Sequence, residues 1–231
     1  MQTYGELVYL ILDELKLVSD DRVYEEEHII TLINQYRNLL LKQRYSDVRK
    51  EIPITNLQSI DIELENVTSD DKNVYTGIYL KSKNIVPSML NLNAQTLAKV
   101  SSSFDHWQGE FTFVDYMQFK YTGYNRWLNS IIYVTIGPDG LLYLKSENPQ
   151  FLYLKSVKLS SIFENPLEIV SLIDPINETN NKSVLDIQIP IEANLIPLIK
   201  EMILKELNSS VYKPADENNN ANDDLNKINT K

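Results

Sequence analysis

The chain has 231 residues, 43% of them apolar, which allows one large domain or two small ones with real cores and excludes disorder throughout. Lys and Arg number 22 against 32 Asp and Glu, a formal charge of −10, so the totals lack the basic footprint of a protein that wraps nucleic acid. There are no cysteines, which excludes disulfides and thiolate metal sites.

The start, Met1 to Leu15, is apolar for only a few residues, lacks a basic n-region and is broken by Asp13 and Glu14. It reads as neither a signal peptide nor a membrane span. An amphipathic helix pair is expected from Thr3 to about Tyr45. Thr3 and Glu6 make a T-x-x-E capping box, and Val8, Ile11, Leu12 and Leu15 then share one helical face. Ser19-Asp20-Asp21 stops that helix. Glu25, Glu26 and Glu27 belong in the first turn of the next, where the helix dipole favours negative charge. Ile29, Leu32, Ile33, Tyr36 and Leu40 carry its apolar stripe, and Lys42, Arg44, Arg49 and Lys50 gather toward and beyond its C-terminal end.

From about Ile52 the period changes. Ile60–Leu64 alternates as a half-buried strand does, and Ile78–Ser82 and Phe111–Asp115 are further strand candidates. Ile131–Ile136, the turn Gly137-Pro138-Asp139-Gly140 and Leu141–Leu144 read as a hairpin. Asn148-Pro149 marks a turn before a strand from Phe151 to Leu159, and a short helix is expected after Asn165-Pro166. The string Tyr-Leu-Lys-Ser recurs at 79–82, 143–146 and 153–156 with unequal spacing, as an ordinary strand pattern would.

A third amphipathic helix, from about Glu192 to Leu207, repeats the apolar spacing with Leu195, Leu198, Ile199, Met202 and Ile203; Pro197 is tolerable only in its first turn. Such helices are marginal alone in water, so the first two and the third are expected to pack together. The fold class is α+β: a helical bundle from residues 1–50 and 190–212, with an inserted antiparallel β domain over 51–189. Residues 213–231 are a polar, Asn-rich C-terminal arm without apolar period, in which Leu225 and Ile228 leave room for a short helix formed on a partner.

No catalytic constellation stands out. His28 sits among helix-two glutamates and fits a solvated surface better than a metal site; His106, beside Trp107, fits a surface or packing role. With six glycines in the chain and no G-x-G-x-x-G or P-loop, a phosphate cradle is not expected. Carboxylate pairs suit a glycosidase, but they abound in any acidic chain. The tyrosines, Trp107 and Trp127 suit sheet packing, with a sugar or base platform as the alternative. Arg37, Lys42, Arg44, Arg49 and Lys50 could touch a phosphate backbone, yet they also suit a helix C-terminus.

Several strings together carry a resemblance. They are Tyr4–Leu7, Ile29–Arg44, Tyr124–Leu128, Ile131–Gly140, Tyr143–Ser146, Ile162–Pro166, Tyr212–Asp216 and Asn219–Leu225. In this order they resemble a virion structural protein of crAss-like bacteriophages, and the layout is similar to the head–tail connector proteins of podoviruses, the adaptor and the tail tubular (gatekeeper) protein. The resemblance implies a non-enzymatic ring subunit without a cofactor. It also implies a homo-oligomeric ring, expected as a dodecamer, joining the portal to other tail ring proteins. DNA would pass through its channel without being read, and no membrane is involved. Localisation would be the virion neck or tail, after synthesis in the host cytoplasm. Tyr212, Pro214, Asp216, Asn219, Asn220, Asp223, Asp224 and Leu225 are the residues expected to dock on a neighbour or the portal. The alternatives are a tail receptor- or carbohydrate-binding module with Trp107 and Trp127 as its platform, and a hydrolase using acidic residues.

Overall fold

Thr3 caps the first helix as the T-x-x-E pattern requires. The computed structural model describes residues 2–18, 24–47, 50–67, 78–92, 95–96, 98–103, 110–123, 126–128, 130–173 and 183–209. In it the Glu6 N–H donates to Thr3 Oγ1 and the Thr3 N–H to Glu6 Oε2, each at 3.2 Å. Helix α1 (Tyr4–Val18) buries Tyr4, Leu7, Val8, Ile11 and Leu15, with Leu12 at the margin. Helix α2 (Glu26–Arg44) buries Ile29, Leu32, Ile33, Arg37 and Leu41. The expected stripe is thus rotated in its second half: Tyr36 and Leu40 flank the contact and a charged residue takes its centre.

The sheet runs in the order β5-β9-β1-β2-β8-β7-β6. Its members are β1 (Gln58–Asn66), β2 (Ile78–Ser82), β5 (Ala98–Ser102), β6 (Glu110–Phe113), β7 (Ile131–Ile136), β8 (Leu142–Ser146) and β9 (Ser156–Ser161). A separate two-stranded pair joins β3 (Asn91–Leu92) to β4 (Gln95–Thr96). The hairpin β7–β8 forms as expected: the Gly140 N–H donates to Gly137 O at 3.0 Å, and Gly140 holds φ 77°, the left-handed region that glycine adopts without strain.

Two strand expectations need correction. The sheet is not wholly antiparallel, because β6 runs parallel to β7. A parallel neighbour requires a crossover of a dozen residues or more, and the chain makes one over 114–130, carrying the short helix α3 (Tyr116–Phe119). The strand expected from Phe151 begins instead at Ser156. Residues Pro149–Tyr153 form a 3-10 turn, which the Asn148 side chain caps by accepting from the Gln150 N–H at 3.0 Å. Pro149 at its start has no N–H to lose there.

Two of the three Tyr-Leu-Lys-Ser strings pair with each other. Tyr79 lies opposite Lys145, Leu80 opposite Leu144 and Lys81 opposite Tyr143. The third string straddles the 3-10 turn and β9.

The buried apolar residues form two main clusters. One takes the stripes of α1, α2 and helix α5 (Ile196–Ser209), together with Leu90, Leu92, Ile162, Ile189 and Ile191. In α5 the inward residues are Ile196, Ile199, Ile203 and Leu207, while Leu198, expected inside, is 45% exposed. Pro197 falls in the first turn, where it breaks no helical hydrogen bond. The other cluster is one face of the sheet, from Ile60, Ile62, Val134 and Leu144 to Leu159, closed by Phe151, Phe163 and Ile169 of helix α4 (Pro166–Ile173).

Candidate functional site

The two clusters meet at Arg37, which is fully buried. Its Nε donates to Pro190 O at 3.0 Å, and its Nη1 donates to Phe163 O at 3.0 Å and to Asn38 Oδ1 at 2.9 Å. Pro190 lies between Ile189 and Ile191 of the helical cluster; Phe163 belongs to the sheet cluster. Asn38 Nδ2 donates to Glu164 O at 2.8 Å, so α2 grips the segment after β9 twice. Among the described residues no carboxylate pairs with Arg37, and burial lowers its guanidinium from 12.5 to about 10. It is still charged at neutral pH, and carbonyl dipoles carry that charge. Tyr4, beside it, donates to Asn34 Oδ1 at 2.5 Å, and burial raises its hydroxyl well above the ordinary value.

A second polar cluster ties the end of α2 to the approach of α5. Glu192 accepts from the Tyr45 hydroxyl, from Asn56 Nδ2 at 3.3 Å and from Arg44 Nη2 at 2.8 Å. Partial burial pushes the Glu192 carboxyl up, but hydrogen bonds from Tyr45 and Asn56 and the charge of Arg44 outweigh it and hold the carboxyl below its usual range. Burial and the bond to Glu192 raise the Tyr45 hydroxyl. Lys200 with Glu14 at 2.5 Å and Tyr36 with Glu206 at 2.6 Å add two further ties between α5 and the first two helices.

A third site lies on the sheet face opposite its main cluster. Lys145 is buried there, donating from Nζ to Thr122 O at 2.7 Å, with its ammonium 5.7 Å from the centre of the Tyr79 ring. Gly123, at φ 88°, passes so close that a Cβ there would stand 3.3 Å from Lys145 Cε. Phe119 meets the Tyr79 ring edge-on at 5.9 Å. Lys145 and Phe119 therefore hold the crossover on the sheet, and Met117, Tyr121 and Trp127 are left 74%, 69% and 90% exposed on it. No sequence pattern marks Lys145 as buried; Arg37 stands four residues from both Ile33 and Leu41, on the apolar face of α2, but its charge reads as a surface one.

The residues named from sequence fare differently. Tyr212, Pro214, Asp216, Asn219, Asn220, Asp223, Asp224 and Leu225 lie outside the described residues, as do His106 and Trp107. His28 is exposed on α2, and Trp127 lies in a 3-10 turn, Arg126–Leu128, far more open than sheet packing implies. Among the described residues no group of three His, Asp or Glu side chains could hold a metal ion, and no helix is long and apolar enough to cross a membrane.

Comparison with known proteins matches residues 6–225 to the family described as phage tail ring protein 2. A curated relative, ring protein 2 of Bacteroides phage crAss001, is 43% identical over 224 residues, covering 96% of this chain and 98% of the relative. The chain belongs to the phage tail ring protein 2 family.

Proposed function

We propose that this tail ring protein is a structural subunit that joins the portal to the tail of a short-tailed phage and forms part of the channel through which DNA is ejected. The observation that carries this reading is near full-length similarity to a crAss phage ring protein. In a closed ring each contact is heterologous: one face of a subunit meets a different face of the next. Large exposed apolar side chains, such as Met117, Tyr121 and Trp127, then have a destination. The helices α1, α2 and α5, whose stripes share one cluster, act as the bundle that carries the sheet. The formal charge of −10 suits a channel lining that repels phosphates, so that DNA slides instead of sticking. The polar arm over 213–231 docks on a neighbouring subunit or on the portal. A dodecamer is the copy number we propose.

Native mass spectrometry of the purified protein, alone and with its portal, tests this. A ring-sized species, or a portal complex of matching symmetry, is the expected result. A monomer that ignores the portal would count against the connector role.

A further inference from the structure

Helix α1 carries a second stripe. Leu7, Val8, Ile11 and Leu15 are buried in the helical cluster. Glu6, Tyr9, Leu10 and Asp13, spaced i, i+3, i+4 and i+7, share the opposite side of the helix. Tyr9 and Leu10 are 52% and 45% exposed, and the exposed carboxylates of Glu6 and Asp13 stand one turn to either side of them. Glu6 Oε2 accepts from the Thr3 N–H. Asp13 has no ion-pair partner among the described residues. Helix α1 as a whole holds three carboxylates against one lysine, a net charge of −2.

The crossover over 114–130 has the complementary character. Within an acidic chain it holds Lys120 and Arg126 against Asp115, a net charge of +1. Its apolar side chains Met117, Tyr121 and Trp127 are the exposed ones described above, and the Lys120 ammonium lies 4.6 Å from the centre of the Tyr121 ring. The other exposed apolar residues match it less well. Leu172, Ile173 and Ile85 border a groove with Asp61 and Glu63, whose carboxylates already accept from Ser103 Oγ at 3.0 Å and Lys83 Nζ at 2.7 Å. Tyr153 precedes Lys155, which carries the same sign of charge as the crossover, and Ile54 stands alone in its turn.

We infer that the crossover of one copy packs on the outer stripe of α1 in the next copy. The inference rests on the ring reading above, which places identical copies side by side. One face belongs to the sheet region and the other to the helical region, so the contact is heterologous and repeats from copy to copy, as a ring requires. Met117, Tyr121 and Trp127 against Tyr9 and Leu10 supply the apolar centre. The cations of the crossover against Glu6 and Asp13 set the register and disfavour other pairings. Both faces are held before they meet: α1 by its buried stripe, the crossover by Lys145 and Phe119. Little ordering is then left to oppose association.

The chain has no cysteine, so full-length Leu10→Cys and Met117→Cys variants report on this contact without background. Both positions are exposed, so neither change disturbs a core. On oxidation of the two variants mixed, the disulfide between unlike chains should form at least about tenfold faster than the like pairs in either variant alone. A chain carrying both changes should give a ladder of multimers. Like pairs forming as fast as unlike ones, or no unlike pair at all, would overturn the inference. Charge reversal is the second check. Asp13→Lys in the Leu10→Cys chain should slow the unlike pairing about fivefold, and Lys120→Glu in its Met117→Cys partner should restore it; an unchanged rate in the first variant counts against the contact. Native masses of the parent chain separate the two readings. A ring without the unlike cross-link overturns this contact and keeps the ring, whereas the cross-link without a ring keeps the contact and counts against the ring.

Discussion

The helical region and the sheet region are held together by different means. The sheet is closed by backbone ladders over an apolar face, whether the paired strands are near in sequence, as β7 and β8 are, or far apart, as β1 and β9 are. The helical region brings together elements from opposite ends of the chain, and side-chain bonds fix how they meet: Tyr36 to Glu206, Glu14 to Lys200, Tyr45 to Glu192 and Arg37 to Pro190. Apolar stripes favour association without specifying an angle or register. Directed bonds supply that, and Arg37 extends them to the sheet.

The comparison breaks most sharply at Arg37. Arg37→Ala should cost about 3–5 kcal/mol, because a cavity opens and the carbonyls of Pro190 and Phe163 lose a buried donor. Urea unfolding followed by near- and far-ultraviolet circular dichroism should then show two transitions where the parent chain shows one. A single unshifted transition would mean that the joint is not what couples the clusters. Leu144→Ala, at the centre of the sheet face, should cost about 2–5 kcal/mol through cavity formation, with the transition kept single, since no tie between the regions is touched.

Thr3→Ala removes the cap of α1 and should cost about 1 kcal/mol, read from the shift in urea midpoint at unchanged slope. The smallest effect is on pH dependence. The folded Glu192 carboxyl lies below its ordinary value of 4.5. Its contribution is therefore complete above that value and lost as pH falls through the lower, folded one. Glu192→Gln should flatten the stability curve in that acidic window and lower stability at neutral pH. An unchanged acid limb would show that the cluster with Tyr45 and Asn56 does not fasten α5.

Much of the fold was legible from side-chain period and turn chemistry, because these act over a few residues. The capping box at Thr3 and Glu6, the three amphipathic helices, the alternation of β1 and the Gly137–Gly140 hairpin all belong to that class. The turn at Pro149–Tyr153 was misread because apolar Phe151 and Leu152 mimic a strand start, while a local cap by Asn148 decides the matter. The candidate sites were hardly legible at all. A lysine in a strand and an arginine in a helix read as surface residues until distant segments close over them.

By itself, the sequence determined the element types, the acidic balance, the absence of thiol chemistry and, through the order of its motifs, the phage ring family. Only the tertiary structure decided which charged groups are buried, that β6 joins its neighbour in parallel, and that β1 divides between two partners. The physical reason is range. Propensity, capping and hydrophobic period are settled among neighbours in the chain. Desolvation of Arg37 and Lys145, and the pairing of strand edges, depend on segments brought together from far along it.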